Sequence, residues 1–419
     1  MARIIVIGAS TGGLRAAYTL SKEVGKTHEI TVVSNTPEFH FVPSNPWVAI
    51  GWRKRSETSF PLRERLEKKG ARFFSTGAAT IDAEKNIVIT GGGEALPYDY
   101  LVIATGPSLA FDDVPGLGPQ PQGHTVSICT VEHAEAAYAR YEEFLKDPGP
   151  VIIGAAQGAS CFGPAYEFAC ILDVDLRKRR LRKKVPITFV TSEPYIGHMG
   201  LAGIGDSKAL MEHELRQRHI NWRTSATIRR VENGKMIVHT NEAGEEQMPF
   251  KYSMIIPAFK GVDAVASVPG LVNPRGFVMV DEHQRSKKYP NVYAVGVCVA
   301  IPPVEPTPVP VGVPKTGFMI ESMVSAAVRN IKDEINGLKP CASPTLNAVC
   351  LADLGDTGVA FVAKPQIPPR DFTWAKKGAW VRLAKIAFEK YYIRKMRRGN
   401  AEPFYEKMIA AALKIKKIE

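Results

Sequence analysis

Residues 151–167 read VIIGAAQGASCFGPAYE, and their reading decides the fold. Val151, Ile152 and Ile153 run into Gly154, then a tight turn, then a predicted helix. That is the layout of a dinucleotide-binding strand–turn–helix, whose glycines let the backbone turn sharply and approach a pyrophosphate. Here the fingerprint is altered. Ala156 stands at the second glycine position, Ala159 stands at the third, and Cys161 follows on the opening helix. Where a flavoenzyme with two dinucleotide-binding domains would dock NAD(P)H, this chain carries a thiol. Electrons are therefore expected to enter from sulfur and not from hydride.

A better preserved unit opens the chain. Residues 3–8 predict a buried parallel strand, followed by Gly8-Ala-Ser10-Thr11-Gly12-Gly13, a helix to about Val24 and a second strand over residues 29–34. This βαβ context makes a glycine fingerprint credible. Ser10 replaces the middle glycine, and Ser34-Asn35 stand where an acidic residue usually takes the ribose hydroxyls. Two later segments match in order. Residues 98–106 form a strand ending Ala-Thr105-Gly106, and residues 291–296 end at Gly296, with Val297 where an Asp is usual. Together they predict FAD. Residues 302–314 carry six prolines and exclude regular structure. They lead into Lys315-Thr316-Gly317 and a helix near 318–336, whose N-terminus and lysine suit the negative edge of a reduced flavin.

Composition narrows the class. The chain has 419 residues, 45% of them apolar, enough for about two to three domains. Net charge is +12, but residues 376–419 hold thirteen Lys or Arg against four Glu, so the rest is nearly balanced. No apolar run approaches the roughly 18–20 residues of a spanning helix. The opening MARIIVIGAS is too short for a signal-peptide core, so the mature protein is expected to begin at or near Met1. The six cysteines (129, 161, 170, 298, 341 and 350) form no CxxC pair, so neither a disulfide framework nor a metal site is expected. RKRRLRKK at 177–184 reads as a solvated helix end.

Past residue 378 the pattern becomes helical and basic. Trp380, Ala384, Ala387/Phe388 and Tyr391 align on one face, with Arg382, Lys385, Lys390, Arg394, Lys395, Arg397 and Arg398 around it. Beyond Gly399-Asn400, Pro403 suits a first turn, and Phe404, Met408, Ala411/Ala412 and Ile415 form a second stripe flanked by Lys407, Lys414, Lys416 and Lys417. Basic amphipathic helices with aromatics read as interfacial anchors on anionic lipid. Packing on the core or on a partner subunit is the other reading, and the two are compatible.

With these features the chain resembles the sulfide:quinone oxidoreductases over essentially its whole length. The residues that carry the likeness are Ser-Ile-Cys129-Thr-Val, Gly158-Ala-Ser-Cys161-Phe-Gly, Pro314-Lys-Thr-Gly-Phe-Met, Asn347-Ala-Val-Cys350, Phe388-Glu-Lys-Tyr and Glu402-Pro-Phe-Tyr405. The resemblance implies that hydrosulfide attacks a disulfide between Cys161 and Cys350, giving a persulfide and a thiolate. Electrons then pass to FAD and on to membrane quinone, and sulfur leaves as polysulfide or elemental sulfur. Cys129 matches a third cysteine, serving as a sulfur relay or attaching the flavin. By the same match Phe388 and Tyr405 line the quinone ring and Lys385 assists its protonation, while Glu167 and His198 lie near the sulfide side. His133, just after Cys129, is a further proton acceptor to consider.

The expected architecture is two Rossmann-like α/β domains, the first split by the second, plus a C-terminal amphipathic helical membrane-binding region. Its expected divisions are 1–115 with 285–345 for FAD, 116–284 for the second domain and 346–419 for the C-terminal region. A membrane-associated homo-oligomer is expected. An NADH:quinone oxidoreductase would want an intact glycine turn and no cysteine pair. A flavin subunit serving cytochrome c would lack the amphipathic helices, and a non-catalytic FAD module would lose the cysteines. A nucleic-acid role is disfavoured, because the basic excess sits in the amphipathic tail and no recognition motif is present.

Overall fold

The computed structural model describes residues 1–402 and 404–412. The chain opens as β1 (Arg3–Ile7), α1 (Thr11–Glu23), β2 (Glu29–Val33), β3 (Ala71–Phe74) and β4 (Tyr100–Ile103). It departs through α2 (Val131–Phe144) into β5 (Val151–Ala155), α3 (Gly163–Lys178), β6 (Ile187–Thr191), α4 (Ser207–Gln217), β7 (Ile220–Arg223) and β8 (Tyr252–Ile256). It then returns as β9 (Val292–Ala294) and α5 (Gly317–Ile335). The last stretch is β10 (Ala348–Asp353), β11 (Gly358–Lys364), β12 (Phe372–Lys377), α6 (Ala379–Arg397) and α7 (Phe404–Ala412).

Two parallel sheets result. The first runs β9-β4-β1-β2-β3, so its strands come from both sides of the second, which runs β7-β6-β5-β8. β1 pairs in register with β2 (Val6 opposite Val32) and with β4 (Val6 opposite Val102). Its RIIVI run is buried from Ile4 onward, as a strand covered on both faces must be. Because the strands are parallel, Gly8, Ser34, Thr105 and Gly296 all emerge at one sheet edge. That is where ligands bind in open α/β sheets.

One of the smaller antiparallel sheets was not anticipated. β10, β11 and β12 are antiparallel, and β10 carries Cys350 opposite Phe361. For α6 the sequence reading left two compatible outcomes, a stripe that faces lipid and one that packs on the core. Trp380 is 50% exposed and Ala387 is exposed, whereas Phe388 and Tyr391 are half-buried against the first core, so the stripe packs only in part. The helix buries Val381, Lys385, Glu389, Tyr392, Ile393, Lys395 and Met396 instead. Polar partners explain the rotation. Glu389 accepts from Ser44 Oγ at 2.6 Å and pairs with Arg53 at 3.0 Å. Tyr392 donates to Glu321, itself paired with Arg15, and Tyr18 donates to the Met396 carbonyl at 3.1 Å. Among the described residues, no helix is long and apolar enough to cross a membrane. Pro403, Lys414, Ile415, Lys416 and Lys417 lie outside the described residues.

The basic run 177–184 is held by its own acids. Arg179 pairs with Asp175, Arg182 with Asp173, and Arg182 also donates to the Val185 and Arg218 carbonyls.

Candidate active site

The first sheet's edge is built as a dinucleotide cradle. Gly8 has φ +100°, and a Cβ there would lie 2.2 Å from the Ala104 oxygen; one on Gly13 would lie 1.9 Å from the Gly8 oxygen. Only glycine fits either place. The turn opens onto the N-terminus of α1, where the Ser10 hydroxyl makes no cap and the first amides stay available to an anion. Gly106 and Gly296, both at positive φ, bring the two other segments to the same edge. These residues fit FAD. One detail differs from expectation: Ser34 is buried, with its hydroxyl taking the Thr36 amide, so the exposed polar group there is Asn35.

The second turn is built differently. The Gly158 amide, which in an open dinucleotide site would face a phosphate, donates to the Pro310 carbonyl at 2.7 Å. Gly312 in turn donates to the Ala159 carbonyl at 2.8 Å. The proline-rich segment thus lies directly on the altered turn.

Three cysteines separated in sequence meet beside that turn. Cys129 precedes α2, Cys161 precedes α3, and Cys350 lies on β10. Burial pushes the Cys161 thiol up to about 12, and the charges of Cys129, Cys350 and Glu167 push it the same way, while Lys315 opposes them. Burial likewise raises Cys350 to about 12, with Glu167 adding to the rise and Lys385 opposing it. A lysine ammonium thus favours the thiolate at each of these two sulfurs, and Lys315 also acts on Cys298. Cys129 is raised by burial to about 11, and its amide donates to Ser127 Oγ at 3.2 Å. All six cysteines are free thiols in this structure.

Glu167 and Lys385 form a buried ion pair. The Glu167 carboxylate also accepts the Asp353 amide at 2.7 Å, and Trp47 Nε1 donates to Asp353 Oδ2 at 2.7 Å. The Lys385 ammonium lies 5.1 Å from the Trp47 ring centre. Burial holds the Glu167 carboxyl above its ordinary value even with Lys385 beside it. Lys385, expected to assist quinone protonation, pairs with Glu167 from one turn before Phe388 on α6. Removing one partner of such a pair strands the other charge. We expect Lys385→Met to cost about 3–5 kcal/mol in urea unfolding. The Glu167→Gln/Lys385→Met double variant should recover most of that loss, and an additive double variant would refute the coupling.

Lys315 is lowered by burial to about 8, and its ammonium lies 5.0 Å from the Phe277 ring centre. Thr316 caps α5 by accepting the Met319 amide, and Gly317 opens the helix. His198 is buried, with Nδ1 accepting the Gly200 amide and Nε2 on Glu305 Oε1 at 3.0 Å; burial lowers its pKa. His133 sits in the first turn of α2 against Phe111, with burial lowering it as well. Neither histidine is among the main groups acting on Cys161.

Phe388 and Tyr405 do come together, ring centres 4.8 Å apart, within a cluster that includes Phe41, Tyr391 and Tyr392. Sequence reasoning missed Asp353 and Trp47, for which no motif exists. It also missed Glu193, buried just past β6, whose carboxyl burial lifts to about 7. Its position, where a βαβ unit often carries an acid, was a usable signal.

Residues 2–319 match the family described as pyridine nucleotide-disulphide oxidoreductase. The chain is 43% identical over 419 residues to the sulfide-quinone reductase of Aquifex aeolicus, covering 99% of this chain and 96% of that one. The crystal structure of the sulfide:quinone oxidoreductase from Aquifex aeolicus superposes with TM-score 0.95 at 42% identity, covering 100% of this chain and 97% of that chain. NDH2 from Plasmodium falciparum, solved with NADH, shares the fold at TM-score 0.72 and 13% identity, covering 94% of this chain and 97% of that chain.

Proposed function

Because the chain belongs to the sulfide:quinone oxidoreductases, within the pyridine nucleotide-disulphide oxidoreductase family, we propose that it oxidises sulfide and reduces quinone through FAD. The observation that carries this reading is that Cys161 and Cys350 lie close enough for their charges to interact, with Lys315 and Lys385 favouring their thiolates, at a turn whose Gly158 amide is bonded to Pro310.

The oxidised enzyme holds Cys161 and Cys350 as a disulfide. Hydrosulfide attacks one sulfur: a new S–S bond forms, the old one breaks, and the other cysteine leaves as a thiolate. Lys315 stabilises a thiolate at Cys161 and Lys385 one at Cys350, which matters because burial otherwise keeps both protonated. Glu167, raised by burial, takes the persulfide proton and returns it to the departing sulfur. FAD, when bound, supplies the two-electron acceptor that passes the pair to quinone. Gly8, Ser10, Thr11, Gly12, Gly13, Asn35, Thr105, Gly106, Gly296 and the start of α5 hold it. Phe388 and Tyr405 receive the quinone ring. The protein rests peripherally on the membrane through exposed apolar residues of its C-terminal region.

Anaerobic flavin reduction tests the reading against the NADH alternative. Sulfide is expected to bleach the oxidised flavin band, and added quinone to restore it. Bleaching by NADH and not by sulfide would make the chain an NADH dehydrogenase.

A further inference from the structure

Past β6 the chain folds into a glycine-rich loop, SEPYIGHMGLAGIGD at 192–206, most of whose bends need a left-handed backbone. Gly197, Met199, Gly200, Ala202, Gly203 and Gly205 all have positive φ. A non-glycine residue held there persists only when its surroundings over-determine it. For Met199, Glu193 is what does so. Its Oε1 accepts the Met199 amide at 2.6 Å, and its Oε2 accepts the Tyr166 hydroxyl and the Thr191 hydroxyl, both at 2.8 Å. Tyr166 in turn accepts the Gly197 amide at 3.0 Å. Tyr166 belongs to α3, the helix that begins just after Cys161, so one buried carboxylate ties the loop to the cysteine's own helix.

The loop's next residue is wedged against the site. A Cβ on Gly200 would lie 2.2 Å from the Gly312 oxygen and 3.2 Å from the Phe162 ring. One on Gly312 would lie 2.6 Å from Ser160 Cβ. Glu193, Met199, Gly200, Gly312 and Ser160 thus form a continuous close-packed column ending beside Cys161. Close-packed columns transmit displacement because they have no slack.

We propose that Glu193 is a positioning residue of the sulfur site, clamping the 197–205 loop so that it presses residues 310–314 onto the turn that carries Cys161. This rests on the sulfide reading above. Glu193 touches no reacting atom; it sets how tightly Cys161 is walled and aimed. A buried acid at this place has also left the role of ribose ligand, since all three of its donors come from the protein.

The test uses the FAD-loaded enzyme and the variants Glu193→Ala, Glu193→Gln, Tyr166→Phe and Gly200→Ala. Gly200→Ala disturbs the column at its middle, where Gly200 meets Gly312, without touching Glu193, which keeps the proposal testable if Glu193→Ala does not fold. Two readouts are needed: KM for sulfide and for quinone separately, and the rate at which iodoacetamide labels Cys161 in the reduced enzyme, read by peptide mass spectrometry. Glu193→Ala, Tyr166→Phe and Gly200→Ala are expected to raise sulfide KM roughly tenfold, leave quinone KM unchanged and speed Cys161 labelling. Glu193→Gln, which keeps one acceptor oxygen, should fall between Ala and wild type. Folded variants with unchanged sulfide KM and labelling would overturn the clamp, as would equal losses for both substrates. Faster labelling in a protein that does not oxidise sulfide would leave the clamp standing and remove the proposed function instead.

Discussion

Cys161→Ala and Cys350→Ala each reduce sulfide-dependent quinone reduction by on the order of a thousandfold or more, while FAD content stays that of wild type. The two halves of this result have separate causes. FAD retention follows because Gly8, Gly13, Gly106 and Gly296 sit at the edge of the first sheet, and neither cysteine is part of that cradle. Loss of turnover follows from the proposed mechanism, because a lone sulfur cannot form the disulfide that hydrosulfide would open. Non-additivity is the sharper signature: the double variant should be no slower than either single one, as expected for residues acting as a unit. Cys170→Ala supplies the control. Cys170 is a fully buried thiol on α3, packed among apolar neighbours, and its loss should cost stability without touching turnover. Stopped-flow bleaching by sulfide and steady-state quinone reduction check all four proteins. Turnover near wild type in either single variant would end the cysteine mechanism.

The strand–turn–helix units and the FAD segments were legible because they rest on local rules. β1 is an apolar run that ends at Gly8, β2 is mostly apolar, and Gly8 and Gly13 stand where a Cβ would collide with backbone. The altered turn was legible for the same reason: Ala156 and Ala159 are visible substitutions in a known pattern. What joins Cys161 to Cys350 was not legible from spacing, because 189 positions separate them and the β10–β12 sheet that delivers Cys350 is short and weakly patterned. The same limit hid the Glu167–Lys385 pair. Lys385 reads as one more cation on a basic helix until tertiary packing turns it inward. Its partner is 218 residues away. The α6 stripe left its packing undecided for a related reason. Periodicity finds an apolar face, but buried polar partners such as Ser44, Arg53 and Glu321 decided which face packs.

That rotation changes how membrane binding should be tested, and it sets the second large expected effect. Deleting residues 378–419 would remove Lys385, Glu389 and Tyr392 from the core together with any anchor, so the result would be uninterpretable. The outward residues are the informative ones. Trp380 is 50% exposed, Leu383 and Phe404 are 65% exposed, and Met408 is 58% exposed. Lys390, Arg394 and Lys407 are exposed on the same two helices. Half-exposed apolar side chains of this size each gain about 1 kcal/mol on entering lipid, by the usual area coefficient. Four of them together give about 4 kcal/mol, on the order of a thousandfold in partitioning. Each cation near an anionic surface adds about 1 kcal/mol, and salt weakens that part. The quadruple variant Trp380→Ser, Leu383→Ser, Phe404→Ser, Met408→Ser should therefore stop co-sedimenting with anionic liposomes while still being bleached by sulfide. Its turnover with lipid-embedded quinone should fall far more than its turnover with a water-soluble analogue, because only the first substrate must be met at the bilayer. Raising salt should release wild type in part and leave the apolar contribution behind. Unchanged sedimentation of the quadruple variant would mean that these side chains cover another protein surface. In that case the basic helices serve assembly, and quinone must reach Phe388 and Tyr405 by a different face.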